Sequence, residues 1–493
     1  MSDFFSAVRV RYAPSPTGYL HIGGLRTVLY NWLLARRHGG TFVLRFEDTD
    51  RARYVEGSIE KMYAALEQVG LTPDEGIRVV DGQIIDEGPY APYLQSARRE
   101  RHVAYAQELI AKKFAYVCFC SKERLAELAE QQKTLKQPMM YDRHCRSLEQ
   151  AEVDRRMAAG EPYVIRLAAP LEGTCVFEDE VRGRIEVPWA QIDDQVLIKT
   201  DGFPTYHLAA TCDDHDMKIS HVIRGEEWVS STPKHLFIYQ AMGWTPPLFA
   251  HLPLLLNPDR SKLSKRQGDV AVEEYLGKGY LPEALMNFIA LMGWNPTSDR
   301  EVYTMQELVQ VFDLKKVNKA GAIFNLEKLR WLNAQYLRSM SVESFFAVCL
   351  PWIQTLSDDQ AFLQRGCLIV RDRVEVLNEL SDLIAFLFQP TLSFDLELLR
   401  WKEQPMSDVR TRLEVVRELI VSLDGSAFDE ISSLDREVRA MIVKREWKNG
   451  DTLWPLRVAL SGLKQSPSPF DLLFAYGRER SLERIDETLK RLP

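Results

Sequence analysis

Polar and apolar positions alternate over Val8–Tyr12 (VRVRY), which predicts a short, half-buried strand. A turn with two prolines and Gly18 follows at Ala13–Gly18 (APSPTG). From His21 apolar residues recur at helical spacing through LRTVLYNWLLARRH, and Gly39-Gly40 supplies the stop. Thr41–Asp48 (TFVLRFED) predicts a second strand with charges at its C-terminal end, and Glu56–Val69 an amphipathic helix ended by Gly70. This alternation opens a parallel sheet covered by helices, so the predicted fold class is α/β. Ser96–Lys113 predicts a further long helix. Near Tyr116 the pattern changes to a strand (YVCFC), a charged helix and a loop, then strand-like runs at Tyr163–Ala168, Glu180–Val187 and Gln195–Thr200. The α/β pattern resumes with a hairpin turn at Asp201-Gly202, a strand at Ser220–Arg224, a helix at Ser230–Gly243 and a buried strand at His251–Leu256. A basic loop begins at Asn257 (NPDRSKLSKRQGD). Helical periodicity then dominates, with amphipathic stretches such as Leu368–Leu387 and Asp408–Leu423. The expected divisions are 1–115 and 196–256 for the two halves of the sheet fold, 116–195 for an α+β insertion, 257–330 for the basic loop and the helices after it, and 331–493 for an all-α region.

Composition narrows the class. With 493 residues, 46% hydrophobic and 27% charged, the chain is long enough for several globular domains. Its net charge of −8, from 62 basic and 70 acidic residues, gives no overall signal for nucleic acid and leaves room for a local basic face. The first residues, MSDFFSAVRVRYAP, lack the basic and apolar regions of a signal peptide. No apolar run reaches the ~18 residues of a membrane span, so none is expected. Seven cysteines, an odd number, point to a reducing compartment, and a cytoplasmic location is expected.

Four stretches carry candidate chemistry, each with a plain alternative. The strand, turn and helix N-terminus of residues 8–37 form a place for an anion, helped by Gly23 and Gly24, but the stretch lacks the Walker and GxGxxG patterns. It reads as a phosphate site or as a mere connection. Glu47, Asp48 and Asp50 follow a strand end, where a sheet of this kind reads polar substrates; they serve equally as a solvated helix-capping loop. Lys262-Leu263-Ser264-Lys265-Arg266 suits a polyphosphate, or is a solvated basic loop. Cys118 and Cys120 share one face of a strand, with Tyr141, His144 and Cys145 downstream; zinc or three reduced cysteines fit that pattern. Cys175, Cys212, Cys349 and Cys367 show no chelating spacing and are expected in the core. No Ser/His/Asp constellation is evident.

PSPTGYLHIGGLRT (14–27) resembles the signature of class I glutamyl-tRNA synthetases, with His21-Ile22-Gly23-Gly24 in the HIGH position. KLSKR (262–266) resembles the KMSKS element, with Leu263 for Met. RFEDTDRARY (45–54), EGPYAPYLQSARR (87–99), KTDGFPTYHLA (199–209), HVIRGEEWVSSTPKH (221–235), GYLPEALMNFIALMGW (279–294) and FNLEKLRWLN (324–333) are also similar. The likeness is strong over 8–335 and thinner beyond, at WPLRVALSG (454–462) and GRERSLERI (477–485).

The resemblance implies a Rossmann-like parallel sheet, an insertion that binds the tRNA acceptor end, and a helical anticodon region of the bacterial type. It implies a glutamate–tRNA ligase that uses ATP with Mg2+, glutamate and tRNA(Glu), with tRNA(Gln) as a further substrate of a non-discriminating form, and a monomer. By it, His21, Lys262 and Lys265 act on the phosphates, and Pro14, Ser15, Thr17, Gly18, Gly23, Gly24, Ser264 and Arg266 complete the ATP site. Arg11 and Arg224 hold carboxylates, Glu47 holds the ammonium, and Ala13, Ser15 and Tyr206 complete the glutamate pocket. Two positions depart from the family. Ala210 stands where some members have Asn, and Ser147 where zinc-binding members have His. A YxxxC spacing similar to that of a tRNA-modifying paralogue makes Cys118, Cys120, Tyr141 and Cys145 the Zn2+ set, with His144 as the alternative fourth ligand. Two rival readings are that paralogue itself, which lacks a helical anticodon region, and an inactive synthetase-like RNA-binding protein. Arg457, Arg478, Arg480 and Lys490 read as tRNA contacts or as solvated helix charges.

Overall fold

The computed structural model describes residues 7–263, 271–296 and 299–493. The chain divides into two compact units, Met1–Gly277 with Pro282–Leu326, and Lys278–Leu281 with Glu327–Pro493.

The first unit begins as the periodicity predicts. Strand β1 (Arg9–Tyr12) leads to helix α1 (Ile22–Arg37), strand β2 (Thr41–Leu44) and helix α2 (Ser58–Gln68). A hairpin of β3 (Glu75–Val80) and β4 (Gln83–Glu87) follows. The predicted helix at 96–113 is a 3-10 turn, Gln95–Arg98, running into α3 (Arg99–Ala111). Next come β5 (Ala115–Cys118), α4 (Lys122–Thr134), α5 (Gln150–Ala158), β6 (Val164–Leu167), β7 (Thr174–Asp179), β8 (Gly183–Pro188) and β9 (Val196–Ile198). Then α6 (Tyr206–Asp216), β10 (His221–Gly225), α7 (Thr232–Met242), β11 (Leu248–Leu252) and β12 (Leu255–Leu256) complete the site-bearing part, and β13 (Ala322–Ile323) pairs with β12.

The main sheet has eight strands in the order β4-β3-β2-β1-β10-β11-β7-β8. The six from β3 to β7 run parallel, and β4 and β8 are antiparallel edges. Val10, Phe42, Val43, Leu44, Val222, Ile223 and Ala250 are buried, as expected of central parallel strands covered on both faces. Chain order reverses between β1 and β10, so their carboxyl ends border the crevice in which such sheets bind ligands.

Several boundaries differ from the periodic reading. The single strand expected at His251–Leu256 is two, because Pro253 and Leu254 divide β11 from β12. A proline has no N–H to give the ladder, and the Leu254 N–H bonds Glu226 instead. The run at Glu180–Val187 is a hairpin half: β7 lies upstream of it and Asp179 shapes the turn by accepting from the Val181 and Arg182 N–H groups. Residues 116–195 serve two sheets. β5 and β6 pair with β9 in a three-stranded sheet, whereas β7 and β8 extend the main one.

The second unit is helical among the described residues, with helices at Val342–Ile353, Gln360–Leu368, Met406–Ser422, Ile431–Lys444, Asn449–Ser461 and Pro469–Arg491. The amphipathic stretch Leu368–Leu387 is not one helix but a turn followed by short helical pieces from Leu377. Side chains replace helical partners there: Arg330 pairs with Glu375 at 2.8 Å and Glu379 at 2.5 Å, and Asn333 donates to the Glu375 carbonyl.

Candidate active site

A cavity of about 840 Å³ opens at the carboxyl ends of β1 and β10. That is room for a nucleotide with a small partner. Of the residues expected there, Arg11, Ala13, Pro14, Ser15, Thr17, His21, Gly23, Gly24, Glu47, Tyr206, Arg224 and Lys262 line it. Gly18 does not. Its contribution is backbone: a φ of +136° bends the turn, a conformation that residues with a Cβ rarely adopt. Ser264, Lys265 and Arg266 lie outside the described residues.

The α1 end of the cleft is held by His21, which is the helix N-cap: its Nδ1 accepts from the Gly23 N–H at 3.0 Å. That bond uses one of the N–H groups that sequence reasoning assigned to a phosphate. It also leaves the ring proton of the neutral imidazole on Nε2, a donor. A Cβ on Gly24 would lie 2.5 Å from the Tyr12 hydroxyl, so any side chain there would displace the tip of Tyr12 where β1 packs on α1. The basic loop is tied at both ends. Lys262 bridges to Leu256 and the Leu263 N–H bonds the Leu255 carbonyl, while past the loop Ala271 bridges to His21. Lys262 and Leu263 therefore border the same cleft as His21, although some 240 residues separate them in sequence.

The other end contains buried charge. Arg11 pairs with Asp214 at 3.1 Å. Arg45, 0% exposed, pairs with Asp214 at 2.9 Å and Glu47 at 3.0 Å and approaches Asp213 at 3.9 Å. Arg98 binds Asp213 and Asp216, each at 2.6 Å. Burial pushes the Glu47 carboxyl above its ordinary range, and Arg45 and Arg11 pull against that. Asp213 is held low, at about 2: burial opposes ionisation, but His102, Arg45 and Arg98 outweigh it.

Arg224, 6% exposed, differs from these three. Its five N–H groups meet neutral acceptors: His251 Nε2 (3.1 Å), the Tyr206 hydroxyl (2.8 Å), His235 Nδ1 (3.3 Å), the Trp228 carbonyl (3.2 Å) and Thr232 Oγ1 (2.9 Å). Among the described residues no carboxylate lies within ion-pair distance of it. Tyr206 accepts from Arg224, so its own proton points to other partners, and burial raises its pKa and keeps it a donor. Burial also depresses His207, to about 3, and His235, so both rings are neutral at pH 7. Ala210 is buried on α6 and offers no polar atom where some family members have an amide.

The residues that sequence reasoning missed are Arg45, Arg98, Asp213, Asp214, Asp179, Thr232, His235 and His251. His251 carried a signal, a lone polar residue in the apolar run AHLPLLL. The acids carried none, because DD and ED pairs on helices and hairpins are ordinarily solvated.

The cysteine cluster lies apart, between β5 and the segment before α5. Sγ atoms of Cys118, Cys120 and Cys145 fall within 4.8 Å of one another. The Tyr141 hydroxyl is 3.3 Å from both Cys118 and Cys120 Sγ. Arg166 and Arg124 direct guanidinium N–H groups at the sulfurs of Cys118 (3.4 Å) and Cys120 (3.5 Å). Three sulfurs and one oxygen around a common point fit a tetrahedral Zn2+. His144 is exposed and outside the cluster. Cys175, Cys212, Cys349 and Cys367 are buried free thiols.

Comparison with known proteins identifies the family. Residues 7–331 match the model of the class I tRNA synthetase (E and Q) catalytic domain, and residues 344–489 match an anticodon binding domain. The chain is 42% identical over 482 residues to a glutamate–tRNA ligase of Clostridium botulinum, covering 97% of each chain. It is 40% identical over 489 residues to that of Clostridioides difficile, covering 97% of this chain and 98% of the relative. The crystal structure of a glutamate tRNA ligase from Elizabethkingia meningosepticum, in complex with its amino acid, superposes with a TM-score of 0.88 at 36% identity, covering 99% of this chain and 100% of that one.

Proposed function

The chain belongs to the glutamate–tRNA ligase family of class I tRNA synthetases, and on that premise we propose how the residues of its cleft divide the work. The family's reaction joins glutamate to tRNA and uses ATP with Mg2+. The glutamate α-carboxylate attacks the α-phosphorus of ATP, the bond to pyrophosphate breaks, and glutamyl-adenylate forms. A ribose hydroxyl of the terminal tRNA adenosine then attacks the acyl carbon and AMP leaves. No protein nucleophile is needed, so catalysis rests on positioning and on stabilising phosphate charge.

The observation that carries the assignment is Arg224, a buried cation on the cleft wall with neutral partners. A carboxylate of glutamate supplies the missing counter-charge, with Tyr206 donating a hydrogen bond. Arg11 faces the second carboxylate, and Glu47 the ammonium. Ala13 and Ser15 close the pocket. At the other end the His21 Nε2–H donates to a phosphate oxygen. Pro14, Thr17, Gly18, Gly23 and Gly24 shape the surface beneath the nucleotide. Lys262 and Lys265, with Ser264 and Arg266, follow charge onto the departing pyrophosphate. Cys118, Cys120, Tyr141 and Cys145 would hold Zn2+, which when bound cross-links β5 to the 141–145 segment. The same reading gives the acceptor end of tRNA to 116–195, the stem contact to 257–330 and the anticodon to 331–493. Seven unpaired cysteines support a cytoplasmic, reducing location, and the enzyme acts as a monomer.

Aminoacylation with tRNA(Glu) and tRNA(Gln) side by side tests this. We expect ATP-dependent charging of tRNA(Glu) with glutamate, and charging of tRNA(Gln) as well if the form is non-discriminating. Absence of glutamate- and tRNA-dependent activity in folded protein refutes it.

A further inference from the structure

On one side Arg224 is held by residues that do not line the cleft. Its Nε–H donates to His251 Nε2 at 3.1 Å, and His251 Nδ1 lies 2.6 Å from Asp179 Oδ2. All three residues are buried: His251 is 0% exposed, Asp179 3% and Arg224 6%. An arginine only donates, so His251 Nε2 is an acceptor and the ring proton sits on Nδ1, directed at Asp179. Asp179 is fixed in turn. Its Oδ1 accepts the backbone N–H groups of Val181 (3.0 Å), Arg182 (2.9 Å) and His251 (3.2 Å). Three strand ends, of β7, β11 and β10, thus set the orientation of one guanidinium.

We infer that Asp179 and His251 are positioning residues for glutamate recognition: Asp179 fixes the tautomer of His251, and His251 orients Arg224 through a neutral acceptor. Neutrality matters as much as orientation. A carboxylate at the position of His251 would pair with Arg224 directly and compete with the substrate. Placing Asp179 one ring further away aligns the guanidinium and leaves its charge for the ligand. This rests on Arg224 holding a carboxylate of glutamate.

Asp179→Asn isolates the tautomer. Three backbone donors require oxygen at the Oδ1 position, so the new NH2 group must take the Oδ2 position and donate to His251 Nδ1. The ring proton then moves to Nε2, where it opposes the Arg224 Nε–H and turns to Thr232 Oγ1, which already lies 3.2 Å from Nε2. His251→Gln is the conservative counterpart, since one amide can accept from Arg224 and donate to Asp179; His251→Leu does neither.

The test is steady-state aminoacylation with tRNA(Glu), varying glutamate and ATP separately. Loss of one hydrogen bond on a charged group predicts a glutamate KM raised about 10- to 100-fold in Asp179→Asn and His251→Leu. The ATP KM stays within about twofold, and His251→Gln within about threefold of wild type for glutamate, both well under the tenfold of one lost bond. An unchanged glutamate KM in folded Asp179→Asn overturns the inference, as does a parallel rise in both KM values. If Asp179→Asn does not fold, equal glutamate KM values for His251→Gln and His251→Leu overturn it. Arg224→Gln separates the two readings. If it leaves the glutamate KM unchanged, the assignment of Arg224 itself falls; if it raises KM while Asp179→Asn does not, only the positioning role falls.

Discussion

Replacing Arg45 by Met tests whether the buried charges behind the cleft are balanced as the structure indicates. Arg45 is fully buried and meets Asp214 at 2.9 Å, Glu47 at 3.0 Å and Asp213 at 3.9 Å. Without it, Arg11 and Arg98 remain against three buried acids. Removing one partner of a buried ion pair costs ~3–5 kcal/mol, because the other charge is left uncompensated. The variant has one means of relief, which is to bind a proton. Glu47 is the acid that takes it, since burial already raises that carboxyl and Arg45 is the first of the charges that lower it. Holding a carboxyl protonated costs ~1.4 kcal/mol for each pH unit above its unfolded value near ~4.3.

The destabilisation is therefore about 4 kcal/mol at pH 7.5 and about 1 kcal/mol at pH 5. The sign follows from linkage. A folded-state carboxyl raised above its unfolded value contributes stability at low pH that is lost as pH rises. Urea titrations of wild type and Arg45→Met at both pH values measure the difference. A deficit below ~1 kcal/mol at pH 7.5, or one equal at the two pH values, refutes the charge balance. The same proton also removes the partner proposed for the substrate ammonium, so the glutamate KM rises at pH 7.5 beyond what Arg45-independent damage gives to the ATP KM.

His21→Ala removes both an N-cap and a phosphate donor, so kcat falls ~10²–10³-fold while stability falls only ~1 kcal/mol; a kcat within about threefold of wild type refutes the donor role. Elemental analysis finds about one zinc per chain, lost in Cys145→Ala and weakened in Tyr141→Phe but unchanged in His144→Ala, as four-coordinate geometry requires. Metal content well under one in the wild type, or loss in His144→Ala alone, counts against the ligand set. Burial depresses His207 to about 3, so the unfolded chain takes up its proton below ~6.5 while the folded chain does not. Stability then falls as pH drops from ~6.5 toward 3, and His207→Gln removes ~1.4 kcal/mol per pH unit of that slope; identical slopes for variant and wild type refute the assignment.

The order of strands and helices was legible because β1, α1, β2 and α2 each keep one period over their whole length. Boundaries failed where a side chain displaced the regular ladder. Pro253 cut one apolar run into two strands, and Arg330 with Asn333 broke up another predicted helix. Residues proposed to touch ligand were legible through motif resemblance, because the turn and the basic loop are contiguous in sequence. Residues that hold those in place were not. Asp179, Asp214 and His251 are brought to the site from β7, α6 and β11 by strand order alone, and no local spacing records that order.

Four of the buried arginines near one crevice show why composition says little about such a site. Arg11, Arg45 and Arg98 each have a carboxylate within 3.1 Å, so each is already balanced in the empty protein and helps hold α6 and the strand ends together. Arg224 is the same residue type at similar depth, but its neighbours are a tyrosine, two histidines, a threonine and a carbonyl. A buried cation without a counter-ion is unfavourable, and the folded protein tolerates it because five dipoles are oriented at it. That arrangement stores affinity for an anion in advance: the dipoles are already aligned before substrate arrives, so binding a carboxylate need not reorganise them. It follows that adding a negative charge beside Arg224, as in Thr232→Asp, should stabilise the empty protein and weaken glutamate binding together. A change that improved both would show that Arg224 is not where the substrate's charge is met.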